Sequence, residues 1–185
     1  MDEIKHLRAE IDELKERLKN ETCQRLELER RCALLEKLAF RDPATGLRTE
    51  SYLYARVREE IDRSTRFPSA TTLVTLCMDE RNEDNIGQMG HRLSDGLRAT
   101  DQVFQLSSHG LAVLLVETPE EGAHHLIQRL AEDIEQFVKG YGFTVTSFPV
   151  DANLADDFLR MAFDRHRDMA SKLLLEKSES GRRNN

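Results

Sequence analysis

RATDQVFQLSSHGLAVLL, residues 98–115, is the stretch that decides the fold. Gln102 to Leu106 and Leu111 to Glu117 read as two short strands, and Ser107-Ser108-His109-Gly110 between them has turn composition, so the segment predicts a β-hairpin. Upstream, Ile86, Met89, Leu93 and Leu97 recur at helical spacing and stop before Asp101. Downstream, Thr118-Pro119-Glu120-Glu121 has the chemistry of a helix start: threonine at N-cap, proline at N1 and glutamate at N3. The helix it opens carries Ala123, Leu126, Ile127, Leu130, Ile134 and Phe137 on one face and stops at Gly140-Tyr141-Gly142.

Working outward, Thr71 to Met78 (TTLVTLCM) is β-branched and apolar, as a buried strand requires, and Phe143 to Val150 reads as another strand. An amphipathic helix over about Glu50 to Ser64 shows Tyr52, Leu53, Ala55, Val57 and Ile61 as its apolar positions, and Phe67-Pro68-Ser69 ends it. A last amphipathic helix carries Leu154, Phe158, Met161, Ala162, Met169 and Leu173. Strands alternating with helices, one hairpin included, predict an α/β fold with a mixed sheet flanked by helices.

A different period governs the start of the chain. Ile4, Leu7, Ile11, Leu14 and Leu18 follow a 3-4-3-4 heptad spacing, mostly isoleucine at a and leucine at d, which favours a parallel two-stranded coil. The register continues through Glu21, Arg25, Leu28, Cys32, Leu35 and Ala39, so the middle of the seam is polar and weaker. A single amphipathic helix folding back on its own domain is the other reading, but the run of heptads exceeds what a globular helix needs. The sequence thus divides into a coiled-coil dimerisation helix at 1–40, an α/β domain at 41–176 and a disordered tail at 177–185.

Composition narrows function. A net charge of −7 argues against nucleic acid or an anionic membrane surface as a general partner, since phosphates and anionic lipids reward the opposite sign. Cys23, Cys32 and Cys77 lack CxxC spacing, which points away from a disulfide framework or a zinc site. The longest apolar run, Gly110 to Val116, is far too short to span a bilayer, and no signal peptide precedes Met1-Asp2-Glu3, so the expected location is cytoplasmic.

With Asp42-Pro43-Ala44-Thr45-Gly46-Leu47 at its start, this order of elements resembles the GGDEF domain family of diguanylate cyclases, over about Leu38 to Lys172. Such domains often open on a DPLTGL-like segment directly after a signalling coiled coil. The resemblance implies a nucleotidyl cyclase-like fold. It also implies a chemistry, the joining of two GTP molecules, that depends on divalent ions held by carboxylates.

The departures from the family pattern shape the functional expectation. The five signature positions are Ser107, Ser108, His109, Gly110 and Leu111, without the two glycines or the two acids. Cys77 stands at a position where the family places a metal-binding carboxylate, leaving only Asp79 of the pair, and a thiol suits magnesium poorly. The 22 residues 79–100 leave room for one helix where the family usually has two. From these losses the sequence reading is of a degenerate, catalytically inactive domain, not an enzyme, with no catalytic residue, no metal and no required cofactor. His109 and the His124-His125 pair read as solvated side chains, and Asp79-Glu80 with Glu83-Asp84 as an acidic loop serving solubility.

A second feature matches the family. Arg98-Ala99-Thr100-Asp101 fits the inhibitory site, RxxD ending five residues before the signature turn, and Arg129 sits 18 residues beyond Leu111, where a further arginine is often found. An arginine fork can grip a phosphate or the Hoogsteen edge of guanine, and an aspartate can accept from guanine N–H groups. The competing reading has Arg98 complementing a helix dipole and Asp101 capping the turn into the hairpin. The resemblance therefore implies an effector that binds cyclic di-GMP as a regulatory ligand at Arg98, Asp101 and Arg129 and acts, as a homodimer, on a protein partner. The alternative is a nucleotide-independent dimeric scaffold.

Overall fold

The computed structural model describes residues 2–79, 83–107, 109–136, 138 and 140–183. The chain divides into two units, Met1–Ala39 and Phe40–Asn185. The first belongs to α1 (Asp2–Phe40), a helix of 39 residues without interruption. Pairs one turn apart, Glu13 with Arg17, Arg25 with Glu29 and Glu27 with Arg31, line its surface, each worth only ~0.2–0.5 kcal/mol. The heptad residues Ile11, Leu14, Leu18, Leu28 and Leu35 are all exposed, Leu18 at 65%. The side chains of Ile4, Leu7 and Ala39 lie outside the described residues. Among the described residues, no helix is long and apolar enough to cross a membrane.

The second unit contains β1 (Arg48–Thr49), α2 (Glu50–Arg66), β2 (Thr71–Met78), α3 (Glu83–Asp95), β3 (Gln102–Ser107), β4 (Gly110–Leu115), α4 (Glu120–Glu135), β5 (Tyr141–Phe148) and α5 (Ala155–Arg183). They form one sheet in the order β1-β3-β4-β2-β5, parallel between β1 and β3 and antiparallel elsewhere. This is the mixed, helix-flanked sheet that the sequence predicts. Strands β2 and β4 lie inside it and are buried along their whole length; β4 reads as a continuous apolar run, and β2 as an apolar run carrying the buried threonines Thr71, Thr72 and Thr75.

Alternation along β2 separates two cores. Val74, Leu76 and Met78 pack with Ile86, Met89 and Leu93 of α3 and Ala123, Leu130 and Ile134 of α4. Leu73 packs on the other face with Leu53, Val57 and Ile61 of α2 and Phe158, Leu159 and Ala162 of α5. Thr75 and Cys77 continue that second face toward the strand's end, and the Thr75 hydroxyl meets that of Thr144 at 2.7 Å.

Several local expectations shift. Strand β5 ends at Phe148 because Pro149 has no N–H to offer the ladder, and β4 ends at Leu115 ahead of Glu117, whose φ of 51° leaves the extended region. The capping box at Thr118 does not form. Its hydroxyl donates to the Val116 carbonyl at 2.9 Å, Pro119 takes the cap position, and α4 begins at Glu120. Helix α5 runs through Arg183, into the segment at 177–185 where the sequence suggests a disordered tail. Phe137 lies outside the described residues.

The turn before β1 is held locally. Asp42 Oδ1 accepts from the Ala44 and Thr45 amides at 3.1 and 2.8 Å, and Gly46 adopts φ 70°, which glycine reaches without a Cβ penalty. The two-residue β1 that follows is too short to leave a sequence signal. It pairs Arg48 with Phe104 and Thr49 with Gln105, anchoring the turn beside the hairpin.

Candidate functional site

The loop 96–101, the end of β4 and one face of α4 line a half-open cavity of about 560 Å3. Arg98, Asp101 and Arg129, singled out in the sequence, all line it, together with Glu121 and His125 of α4 and an apolar wall that includes Leu115. The loop is fixed by its own backbone. Gly96 N–H donates to the Leu93 carbonyl at 3.2 Å, and Asp101 N–H to the Arg98 carbonyl at 3.0 Å. Asp101 then accepts from the Arg98 amide at Oδ2 and from the Val116 amide at Oδ1, both at 3.3 Å, tying the loop to the end of β4.

Asp101 is therefore a turn-capping residue as well as a wall of the cavity. Each carboxylate oxygen has a second lone pair, so these backbone bonds leave acceptor capacity. Arg129 donates from Nη2 to the Gly96 carbonyl at 2.7 Å and keeps its remaining N–H groups for other partners. The Arg98 guanidinium has no hydrogen bond or ion pair among the described residues. His125, read from sequence as a solvated side chain, belongs to this cavity, whereas its neighbour His124 approaches Glu120 at 3.5 Å.

A second cluster sits where β2 ends under the hairpin turn. Cys77 is buried with its Sγ 3.1 Å from Nδ1 of His166 on α5 and 3.4 Å from the His166 carbonyl oxygen. Burial pushes the thiol up to about 11, so it is a protonated donor rather than a thiolate. The His166 ring is held below its usual value by burial first and by the charge of His109 second. The His109 carbonyl accepts from the Met78 amide at 2.9 Å, pinning the turn over the strand end.

Gly110 opens the space for His166: a Cβ there would fall 2.8 Å from Nε2 and 2.9 Å from Ser107 Oγ. Asp79 stays at the strand end, its amide donating to the Gly140 carbonyl at 2.9 Å, and Ser108 and Glu80 lie outside the described residues. A protonated thiol beside a neutral imidazole does not supply the hard oxygen ligands that magnesium takes. Among the described residues, no three His, Cys, Asp or Glu side chains are placed to hold a metal ion. Sequence reasoning gives His109 no partner. It misses His166, 89 residues beyond Cys77, because no fixed spacing relates a strand end to the middle of a distant helix.

No family model and no curated protein matches this sequence. Solved structures do. A sensory box/GGDEF family protein from Caulobacter crescentus superposes with a TM-score of 0.60 at 21% identity, over 70% of this chain and 99% of that one. The fold is that of a GGDEF domain. The diguanylate cyclase SiaD of Pseudomonas aeruginosa, solved with its activator SiaC, matches at 17% identity over 96% of this chain and 72% of its own, with a TM-score of 0.58. A microbial GGDEF domain studied for its interaction with cyclic di-GMP matches at 17% identity over 75% of this chain and 94% of its own, with a TM-score of 0.60.

At these identities the likeness is one of fold. It nevertheless corrects the expectation that the chain is not an enzyme. Structures with this GGDEF fold include a protein named as a diguanylate cyclase, so the architecture is one that carries catalysis.

Proposed function

We propose that this GGDEF-fold protein is a signalling module that binds cyclic di-GMP in the cavity between the loop 96–101 and α4, with Arg98, Asp101 and Arg129 as its polar contacts. One observation carries the reading. Three residues spread over 32 positions of sequence converge on one cavity of about 560 Å3, and the Arg98 guanidinium there is uncommitted among the described residues. Guanidinium forks match phosphodiesters and the Hoogsteen edge of guanine, and the Asp101 carboxylate matches the guanine N–H edge. The cyclic di-GMP interaction of a structural relative adds support. In this reading α1 pairs two copies through its exposed heptad residues, and the ligand-bound state is read by a protein partner in the cytoplasm.

Calorimetric titration of cyclic di-GMP into the full chain, beside Arg98→Ala, tests it. Because the Arg98 side chain makes no bond among the described residues, the variant keeps its thermal stability while affinity falls by about tenfold or more. Absence of binding up to about 100 μM, a limit corresponding to roughly −5.5 kcal/mol, sinks the proposal.

A second reading is a docking module that works without nucleotide. It is favoured by the backbone bonds that already occupy Asp101 and one nitrogen of Arg129, and by the protein activator found on SiaD. Partner capture that is identical with and without cyclic di-GMP, and with Arg98→Ala, selects it.

A further inference from the structure

We infer that a small oxyanion of the phosphate class binds in a second cavity, between the turn 41–48, α3 and the start of β3. Arg41 and Arg48 face one another across an antiparallel bridge. Residues directly opposite in such a pair project their side chains to the same side with Cβ atoms about 5 Å apart, and like charges placed so repel. Neither guanidinium meets a carboxylate among the described residues. Arg41 Nη1 donates to the Gly46 carbonyl at 2.7 Å, and the Arg48 guanidinium carbon lies 4.9 Å from the Tyr52 ring centre. These contacts hold both groups without neutralising either.

Both arginines line a cavity of about 200 Å3 together with His91 and Gln102. The ring of His91 is fixed by an Nε2 contact to the Thr45 carbonyl at 3.0 Å. The Gln102 Oε1 position is buried and has no hydrogen-bond partner, and a half-turn of that amide presents N–H donors instead. Asp101 is the one carboxylate in the lining, and its single negative charge is outnumbered there by the two guanidinium groups. An anion seated between Arg41 and Arg48 converts their repulsion into two charge-assisted hydrogen-bonding forks. A cavity of about 200 Å3 has room for a phosphate group, so the ligand class is free phosphate or the terminal group of a phosphate monoester.

The experiment is a titration of the full chain with inorganic phosphate against sodium chloride at matched ionic strength. The readouts are the arginine Nε–Hε resonances and the thermal midpoint. Saturable shifts at Arg41 and Arg48 and a midpoint that rises with phosphate alone are expected. Arg48→Gln and Arg41→Gln each weaken phosphate binding by about tenfold. Two variants are used because the first also loses its place over Tyr52. A guanosine monophosphate arm separates the sources: saturation of the same resonances at lower concentration than phosphate assigns a monoester, and at higher concentration assigns the free ion. The proposal is overturned if phosphate acts no differently from chloride, or if both variants bind it as the wild type does. Cyclic di-GMP binding at Arg98 can fail without altering either result, since the two tests report on different arginines.

Discussion

Arg129 of α4 donates to the Gly96 carbonyl just past the end of α3, and this 2.7 Å bond bridges the two sides of the larger cavity. The residue thus has a structural and a proposed ligand-binding role, which its variants separate. Arg129→Ala removes an exposed hydrogen bond and lowers stability by about 1 kcal/mol in thermal or denaturant unfolding. It also weakens cyclic di-GMP binding in calorimetry. Arg129→Lys keeps the charge but loses the planar fork, so it recovers stability more than affinity. Equal losses in both measurements for both variants contradict a contact to ligand.

What the sequence discloses here follows from how local each signal is. Thr71 to Met78 is a buried strand in both readings because β-branched apolar residues suit no other environment so well. The hairpin at 102–115 is equally legible from its turn. The convergence of Arg98, Asp101 and Arg129 follows from the resemblance to a family, not from their spacing. The pairing of Cys77 with His166 and the facing of Arg41 and Arg48 were not legible. Each depends on the packing of a helix or on a single bridge, which leaves no periodic trace in the chain.

Cys77 gives a chemical test of its surroundings. Buried against His166 with its thiol pushed up to about 11, it is scarcely ionised at pH 8, whereas Cys23 is exposed on α1. Iodoacetamide at pH 8 is expected to label Cys23 in the native protein and Cys77 only after denaturation, as read by peptide mass spectrometry. Native labelling of Cys77 at a comparable rate contradicts the packing of α5 over β2.

The exposed heptad residues of α1 predict an assembly state. Leu14 and Leu18 stand 58% and 65% exposed on a helix whose charged residues already pair along its own surface. In sedimentation equilibrium the 21.3 kDa chain is expected at twice its mass, and a Leu14→Lys, Leu18→Lys double variant at its single mass. The thermal midpoint of the second unit should change little, because its two cores draw on residues from Leu47 onward. A wild type that sediments as a monomer at micromolar concentration removes the coil from the proposed mechanism.

Stability should fall with acid in two separate windows. The folded-state value of His166 is depressed below the usual 6.5, chiefly by burial. Between that folded value and 6.5 the unfolded chain binds the extra proton, so stability rises with pH and is lost as pH falls from about 6.5. Asp151 acts lower. Its carboxylate accepts both Arg165 Nη groups at 2.9 Å and the Ser147 amide at 2.8 Å, and the Arg165 bonds are the first cause of a folded value below the usual 3.8. Its contribution is complete above 3.8 and disappears as pH drops further through the folded value. Thermal midpoints recorded from pH 8 to pH 3 should show a first decline beginning near 6.5 and a steeper one below about 4. His166→Gln should flatten the first decline and leave the second. Asp151→Asn should lower stability at neutral pH by about 1–3 kcal/mol, as for a hydrogen-bonded charged group, and reduce the second decline. A first decline that survives His166→Gln unchanged would assign that proton to another histidine and remove the support for a neutral ring beside Cys77.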